Sequence, residues 1–76
     1  MLTETNVRKA IETATEASAM AMVSMDADLA KSGLDSLDFY NVLVELEKTT
    51  GLTVPDEDID QLKSIALIIK YFNARA

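Results

Sequence analysis

Residues 33–51 read GLDSLDFYNVLVELEKTTG, and this stretch predicts the main helix of the protein. Aspartate is a favoured helix N-cap and glycine commonly follows the last helical residue. We therefore expect Asp35 to cap a helix that runs from Ser36 to about Thr50 and ends before Gly51. Apolar side chains lie on two nearly opposite sides of this helix, whereas a helix in a small bundle normally buries one stripe. One of the two stripes therefore needs an explanation other than the core.

A rotation of about 100° per residue separates the two stripes. The first consists of Phe39, Val42, Leu43 and Leu46, and the second of Leu37, Tyr40 and Val44. We expect the first stripe to face the core. The second either covers neighbouring loop residues or forms an exposed apolar strip among charged residues, which is typical of a docking surface. This second stripe begins next to Ser36.

The rest of the chain predicts an all-α fold in a single domain, residues 1–76. The sequence is 49% hydrophobic and contains only two glycines and one proline, a composition that favours helices. We expect a first helix from Glu4 to about Ser18, capped by Thr3 or Thr5. Its apolar face consists of Val7, Ala10, Ile11, Ala14 and Ala17.

A long connector follows the first helix, from Ala19 to Asp35. It contains Met20, Met22 and Met25, which make it too apolar to stay in water, so we expect it to pack across the domain as an ordered loop. Long loops of this kind are often functional.

The last third of the chain predicts a short helix and a long one. Residues 52–55 are expected to be extended, because the residue before a proline avoids the helical region. A short acidic helix is expected at residues 56–60, and Ser64 is the expected N-cap of a last helix that runs to about Phe72. The core face of that helix consists of Ile65, Ile68, Ile69 and Phe72. The predicted architecture is a four-helix bundle of three main helices and a short third helix.

Composition excludes several classes of function. The chain has no cysteine and no histidine, which leaves it without a thiol nucleophile and without the commonest general base and metal ligand. We therefore expect no catalytic activity of its own. A net charge of −6 disfavours nucleic acid and anionic membranes and favours basic protein surfaces. No apolar run reaches transmembrane length, and we expect a cytoplasmic monomer.

The acidic run at residues 56–60 is not a calcium loop. An EF-hand loop needs a central glycine and a late glutamate at a fixed offset, and both are absent here. We expect a solvated acidic helix start and no metal site.

Ser36 has three interpretations from the residues alone. It could cap the helix, since serine and aspartate are both favoured there. A catalytic nucleophile is a poor alternative, because the chain lacks histidine and GLDSL is not the G-x-S-x-G motif. It could also carry a phosphodiester, which the positive end of a helix favours.

The combination GLDSLDF, YNVLVELEKTTG and LTVP, followed by the acidic short helix, strongly resembles the acyl carrier protein family. The resemblance covers about residues 28–72 and implies the same four-helix bundle with a long first loop. It also implies that Ser36 carries 4′-phosphopantetheine, which a holo-synthase (a phosphopantetheinyl transferase) transfers from coenzyme A. The thiol of that arm would hold acyl groups as thioesters, so the cofactor would supply the thiol that the chain lacks.

The same resemblance implies partner enzymes with basic surfaces that load, condense or transfer acyl groups in fatty acid, polyketide or specialised lipid biosynthesis. The positions that match partner-docking residues of the family are Asp35, Leu37, Asp38, Tyr40, Val44 and Glu47. Two alternatives remain open: an aminoacyl or peptidyl carrier of a non-ribosomal pathway, and an unmodified helical adaptor. Asn41 and Lys48 stand where many fatty acid carriers have acids, which indicates dedicated partners.

Overall fold

The computed structural model describes residues 2–15 and 23–75. In these ranges the chain forms α1 (Glu4–Ala14), α2 (Ser36–Thr50), a 3₁₀ helix (Asp56–Gln61) and α3 (Ile65–Arg75), and it contains no strand. The helix α1 packs against both α2 and α3, and the 3₁₀ helix packs against α3. The predicted all-α architecture with a short third helix is confirmed.

The helix α1 begins where the sequence indicates and ends earlier. Thr3 is the cap rather than Thr5, because its hydroxyl accepts from the backbone N–H of Asn6 while the Asn6 side chain accepts from the Thr3 N–H. The predicted end at Ser18 is wrong, since the helix stops at Ala14. Thr15 is extended, and its hydroxyl and its N–H both donate to the carbonyl of Ile11. Because Thr15 has φ −132° and ψ 160°, outside the helical region, the helix does not continue through it. Ala17 was expected on the apolar face of the first helix, and Met20 and Met22 in the connector. All three lie outside the described residues.

The helix α2 has the predicted bounds. The Asp35 carboxylate accepts from the backbone N–H of Asp38 at 2.8 Å, and Gly51 ends the helix in the left-handed region at φ 76°. Glycine adopts that region without the steric cost that other residues bear. Val42, Leu43 and Leu46 are buried and Phe39 is partly buried, so the first apolar stripe faces the core as expected.

The helix α3 contributes more to the core than the sequence indicates. Ile65, Ile68 and Phe72 are buried as predicted, whereas Ile69 is only partly buried. Tyr71, which the helical pattern does not single out, is buried beside Phe72 with the two rings edge to face. The helix continues to Arg75, three residues beyond the predicted end, because residues 73–75 contain no breaker and Asn73 is held by two hydrogen bonds to the backbone of Leu2.

Candidate cofactor-attachment site

Ser36 is the first residue of α2, and its side chain is exposed. The capping hydrogen bond at this helix start comes from Asp35, not from Ser36. With the described residues the Ser36 hydroxyl makes no hydrogen bond, so it is available to a modifying protein. The interpretation of Ser36 as the helix cap is therefore wrong, because the preceding aspartate performs that task.

The turn before α2 places Ser36 at the surface. Gly33 adopts a φ of 116°, a conformation that side-chain-bearing residues rarely adopt, and the N–H of Leu34 donates back to the carbonyl of Leu29 at 3.0 Å. Leu29 and Leu34 are both buried. Because two buried leucines anchor this turn from below, the serine two residues further on is presented outwards.

The long loop and the 3₁₀ helix form a cleft of about 330 Å³ beside Ser36. Its lining is mostly apolar, with Leu34, Phe39 and Ile59 among the residues that contribute, and the ammonium-bearing side chains Lys31 and Lys63 also line it. Two backbone hydrogen bonds hold the loop against the start of α3: Leu29 N–H to Lys63 carbonyl at 2.8 Å, and Ala66 N–H to Met25 carbonyl at 3.0 Å.

This arrangement fits a phosphodiester-linked chain. Backbone N–H groups at a helix start and the helix dipole favour negative charge. The neighbouring cleft is lined by two lysines and three aspartates, so its side chains add no net positive charge. The flanking carboxylates of Asp35 and Asp38 oppose that charge, but both are accessible enough to interact with a basic partner. The apolar cleft offers a surface on which a flexible, mostly uncharged arm can lie. An exposed hydroxyl, a positive helix end and an adjacent apolar cleft therefore coincide at one place.

The second apolar stripe of α2 is exposed at its start. Leu37 is 68% exposed and Tyr40 is 53% exposed, which contradicts the alternative that they cover neighbouring loop residues. Val44, one turn further, is partly buried. We call Leu37, Tyr40 and Val44 the α2 strip. It begins one residue after Ser36, so any protein that reaches the serine hydroxyl also meets this strip.

Glu47, one of the positions expected to dock partners, has a partner inside the protein. Its carboxylate accepts from the backbone N–H of Val54 at 2.6 Å and so connects the end of α2 to the extended segment before Pro55. Charged hydrogen bonds to backbone N–H groups are among the stronger ones in proteins. The sequence contains no signal for this contact, because Glu47 and Val54 are seven residues apart across a helix end.

We expect Glu47→Ala to lower the free energy of unfolding by about 1–3 kcal/mol, since the Val54 N–H would lose its acceptor while remaining partly buried. Urea unfolding followed by circular dichroism measures this change. Glu45→Ala is the matched control on the same helix, because the Glu45 side chain makes no hydrogen bond or ion pair with the described residues. Equal stabilities of the two variants would contradict a structural role for the Glu47 carboxylate.

The sequence predicted that the whole acidic run at residues 56–60 is solvated, and this prediction is wrong for Asp58. Asp56, Glu57 and Asp60 are exposed, but the side chain of Asp58 is only 18% exposed and turns towards α3. The Tyr71 hydroxyl donates to its carboxylate at 2.6 Å, and the Arg75 guanidinium lies 3.5 Å from the same oxygen. Among the described residues no group of three or more acids is placed to hold a metal ion.

Comparisons with known proteins agree with this geometry. The family model described as "Phosphopantetheine attachment site" matches residues 6–72. An acyl carrier protein of Amoebophilus asiaticus is 30% identical over 58 residues, which cover 75% of this chain and 72% of that protein. One of Helicobacter acinonychis is 33% identical over 52 residues, 67% of each chain.

A third relative, an acyl carrier protein of Rickettsia bellii, is 36% identical over 50 residues, but the match spans only 58% of that protein. No solved structure matches the chain at a significant level. Of the helices in residues 2–15 and 23–75, none is long and apolar enough to cross a bilayer. Since the family model extends from α1 to α3 and two relatives match over two thirds or more of their own length, the chain belongs to the acyl carrier protein family, whose cofactor is covalently bound 4′-phosphopantetheine.

Proposed function

We propose that the chain is a discrete acyl carrier that holds acyl intermediates on a 4′-phosphopantetheine arm attached to Ser36 and presents them to partner enzymes. The observation that carries this proposal is the Ser36 hydroxyl, which is exposed, without a hydrogen bond to the described residues, and placed at the rim of an apolar cleft. When bound, the cofactor supplies the thiol to which an acyl group is joined as a thioester.

The protein's own residues have three tasks in this proposal. Ser36 provides the oxygen that bonds to the phosphate of the arm. Asp35 holds the helix start by its capping hydrogen bond, so that the serine keeps a constant orientation. Leu37 and Tyr40 provide apolar area next to the attachment point, where a partner enzyme can bury it.

Catalysis is left to the partners. A tethered acyl group is confined near the active site to which its carrier is docked, so its effective concentration there is far above its bulk concentration. The acidic residues around α2 favour partners with basic surfaces, because opposite charges accelerate the encounter. The proposed partners are a phosphopantetheinyl transferase and enzymes that load, condense or transfer acyl groups in fatty acid, polyketide or specialised lipid biosynthesis. The proposed location is the cytoplasm.

The test of this proposal is modification followed by loading. The protein is incubated with a promiscuous phosphopantetheinyl transferase and coenzyme A, and its intact mass is recorded. We expect a complete shift by one phosphopantetheine increment. A protein that never gains this mass would be an unmodified helical adaptor, which would overturn the proposal.

The cargo is identified in a second step. The holo protein is offered to acyl-activating and amino-acid-activating ligases, and the products are weighed. We expect acyl groups on the thiol. Exclusive loading with amino acids would replace the acyl carrier by an aminoacyl or peptidyl carrier, which uses the same arm and fold.

A further inference from the structure

The 3₁₀ helix at Asp56–Gln61 has little to stabilise it locally. It is six residues long and lacks a side-chain cap, and none of its residues is fully buried. Hydrogen bonds in 3₁₀ helices have poor geometry, so such helices are seldom stable by themselves. The exposed acids Asp56, Glu57 and Asp60 repel one another along the same short segment. A contact from elsewhere in the fold must therefore hold this helix in place.

Tyr71 provides one such contact, alongside the packing of Ile59 against the core and the Arg75–Asp58 ion pair. Its hydroxyl donates to the Asp58 carboxylate at 2.6 Å across a separation of 13 residues. The ring is fixed on both sides, since the Arg75 guanidinium lies 3.6 Å from the ring centroid and Phe72 packs edge to face at 5.7 Å. Burial raises the pKa of Tyr71 and the hydrogen bond to Asp58 raises it further, so the hydroxyl keeps its proton at neutral pH and remains a donor.

The 3₁₀ helix is also one wall of the cleft beside Ser36. Ile59 and Asp60 line that cleft, and Ile59 packs against the core from the same short segment as Asp58. Residues of the long loop and Phe39 of α2 also line the cleft. The position of the 3₁₀ helix therefore sets the width of the cleft, and the Tyr71 hydroxyl acts on that position from outside the cleft.

We propose that the Tyr71–Asp58 contact positions the 3₁₀ helix as a wall of the Ser36 cleft, which makes Tyr71 a positioning residue for the chain that this cleft receives. The effect of this contact on an acyl chain in the cleft rests on the proposed function. The contact itself does not, because it exists in the protein without any arm.

The first experiment measures amide hydrogen exchange by NMR on the unmodified protein. Tyr71→Phe removes the hydroxyl and keeps the ring. The amides of Asp58 and Leu62 donate to the carbonyls of Pro55 and Ile59 at the two ends of the 3₁₀ helix. We expect these two amides to exchange about tenfold faster or more, with the amides of α1 unchanged. Tyr40→Phe is the matched control, since it removes an exposed hydroxyl that bonds to none of the described residues, and it should leave both groups of amides unchanged.

Asp58→Ala extends the test to the other side of the contact. It should accelerate the same two amides at least as much as Tyr71→Phe does, since it also removes the Arg75–Asp58 ion pair. Adding Tyr71→Phe to Asp58→Ala should give little further acceleration, because Asp58→Ala alone already breaks the Tyr71–Asp58 contact. Asp56→Ala is the control for Asp58→Ala, because it removes an exposed acid from the same helix and leaves the Tyr71–Asp58 contact in place. Unchanged exchange in Tyr71→Phe, equal acceleration throughout the molecule, or full additivity in the double variant would each overturn the proposal.

The second experiment tests the effect on the cleft in the loaded protein. Butyryl and dodecanoyl thioesters are cleaved with hydroxylamine, and their rates are compared. We expect the dodecanoyl thioester to be cleaved more slowly than the butyryl thioester in the wild type. In Tyr71→Phe this difference between the two rates should disappear. Equal rates for both chains in the wild type, or an undiminished difference in the variant, would overturn the link between the contact and the cleft. If Ser36 is never modified, the proposed function fails, and the exchange experiment still decides the Tyr71–Asp58 contact.

Discussion

Ser36→Ala is expected to abolish modification completely while leaving the fold intact. The substitution removes the one side-chain hydroxyl at the start of α2, which is exposed and makes no hydrogen bond to the described residues. Its cost in stability should be small, because the capping bond at this position is made by Asp35. Intact mass after incubation with a phosphopantetheinyl transferase and coenzyme A measures the first effect, and thermal unfolding measures the second.

Ser24→Ala is the control for this experiment. Ser24 is also exposed and lies in the long loop that precedes α2, but it is not at a helix start and does not line the cleft. It should be modified to the same extent as the wild type. A mass increment that persists in Ser36→Ala would assign the arm to another residue and would contradict the attachment site proposed for this protein.

Replacing both Leu37 and Tyr40 by alanine is expected to lower kcat/KM for modification by a phosphopantetheinyl transferase by about tenfold or more. Aromatic and large apolar residues at the centre of an interface commonly contribute above about 1 kcal/mol each when truncated. The two side chains are the most exposed large apolar groups of α2, at 68% and 53%, so their removal should change the melting temperature little. The rate of holo-protein formation at several carrier concentrations gives the kinetic constants.

Leu67→Ala is the matched control for that double variant. Leu67 is a 42% exposed leucine on α3 that does not line the cleft beside Ser36, so its loss removes apolar area from a surface outside the α2 strip. We expect kcat/KM to stay at the wild-type value. Similar losses from both changes would indicate a general effect of surface apolarity and would contradict the assignment of docking to Leu37 and Tyr40.

The sequence predicted α2 in full because every signal for it is local. The cap at Asp35, the left-handed glycine at Gly51 and the apolar period between them lie within a single stretch of 17 residues. The end of α1 was predicted wrongly for a related reason. Helical periodicity continues past Ala14 in the sequence, but the backbone of Thr15 is extended and ends the helix.

The attachment site was predictable as a position and undecided as a role. The residues alone place the cap at Asp35 but do not assign a task to Ser36, since serine is also favoured at a helix start. The structure assigns the cap to Asp35 and leaves the hydroxyl of Ser36 exposed. Resemblance to a family indicated the cofactor, whereas the accessible surface beside the serine follows only from the packing of the loop.

The sequence by itself determined the helical class, the bounds of α2, the serine at its start and the two opposed apolar stripes, since these depend on residues a few positions apart. Only the tertiary structure decided that Leu37 and Tyr40 stay in solvent and do not cover loop residues, that Glu47 holds Val54, and that Asp58 turns from its acidic neighbours to Tyr71. The physical reason is that a polar side chain bonds to whatever group the packed core places within about 3 Å of it. For Asp58 that group lies 13 residues away in the chain, a distance over which no local pattern selects a partner.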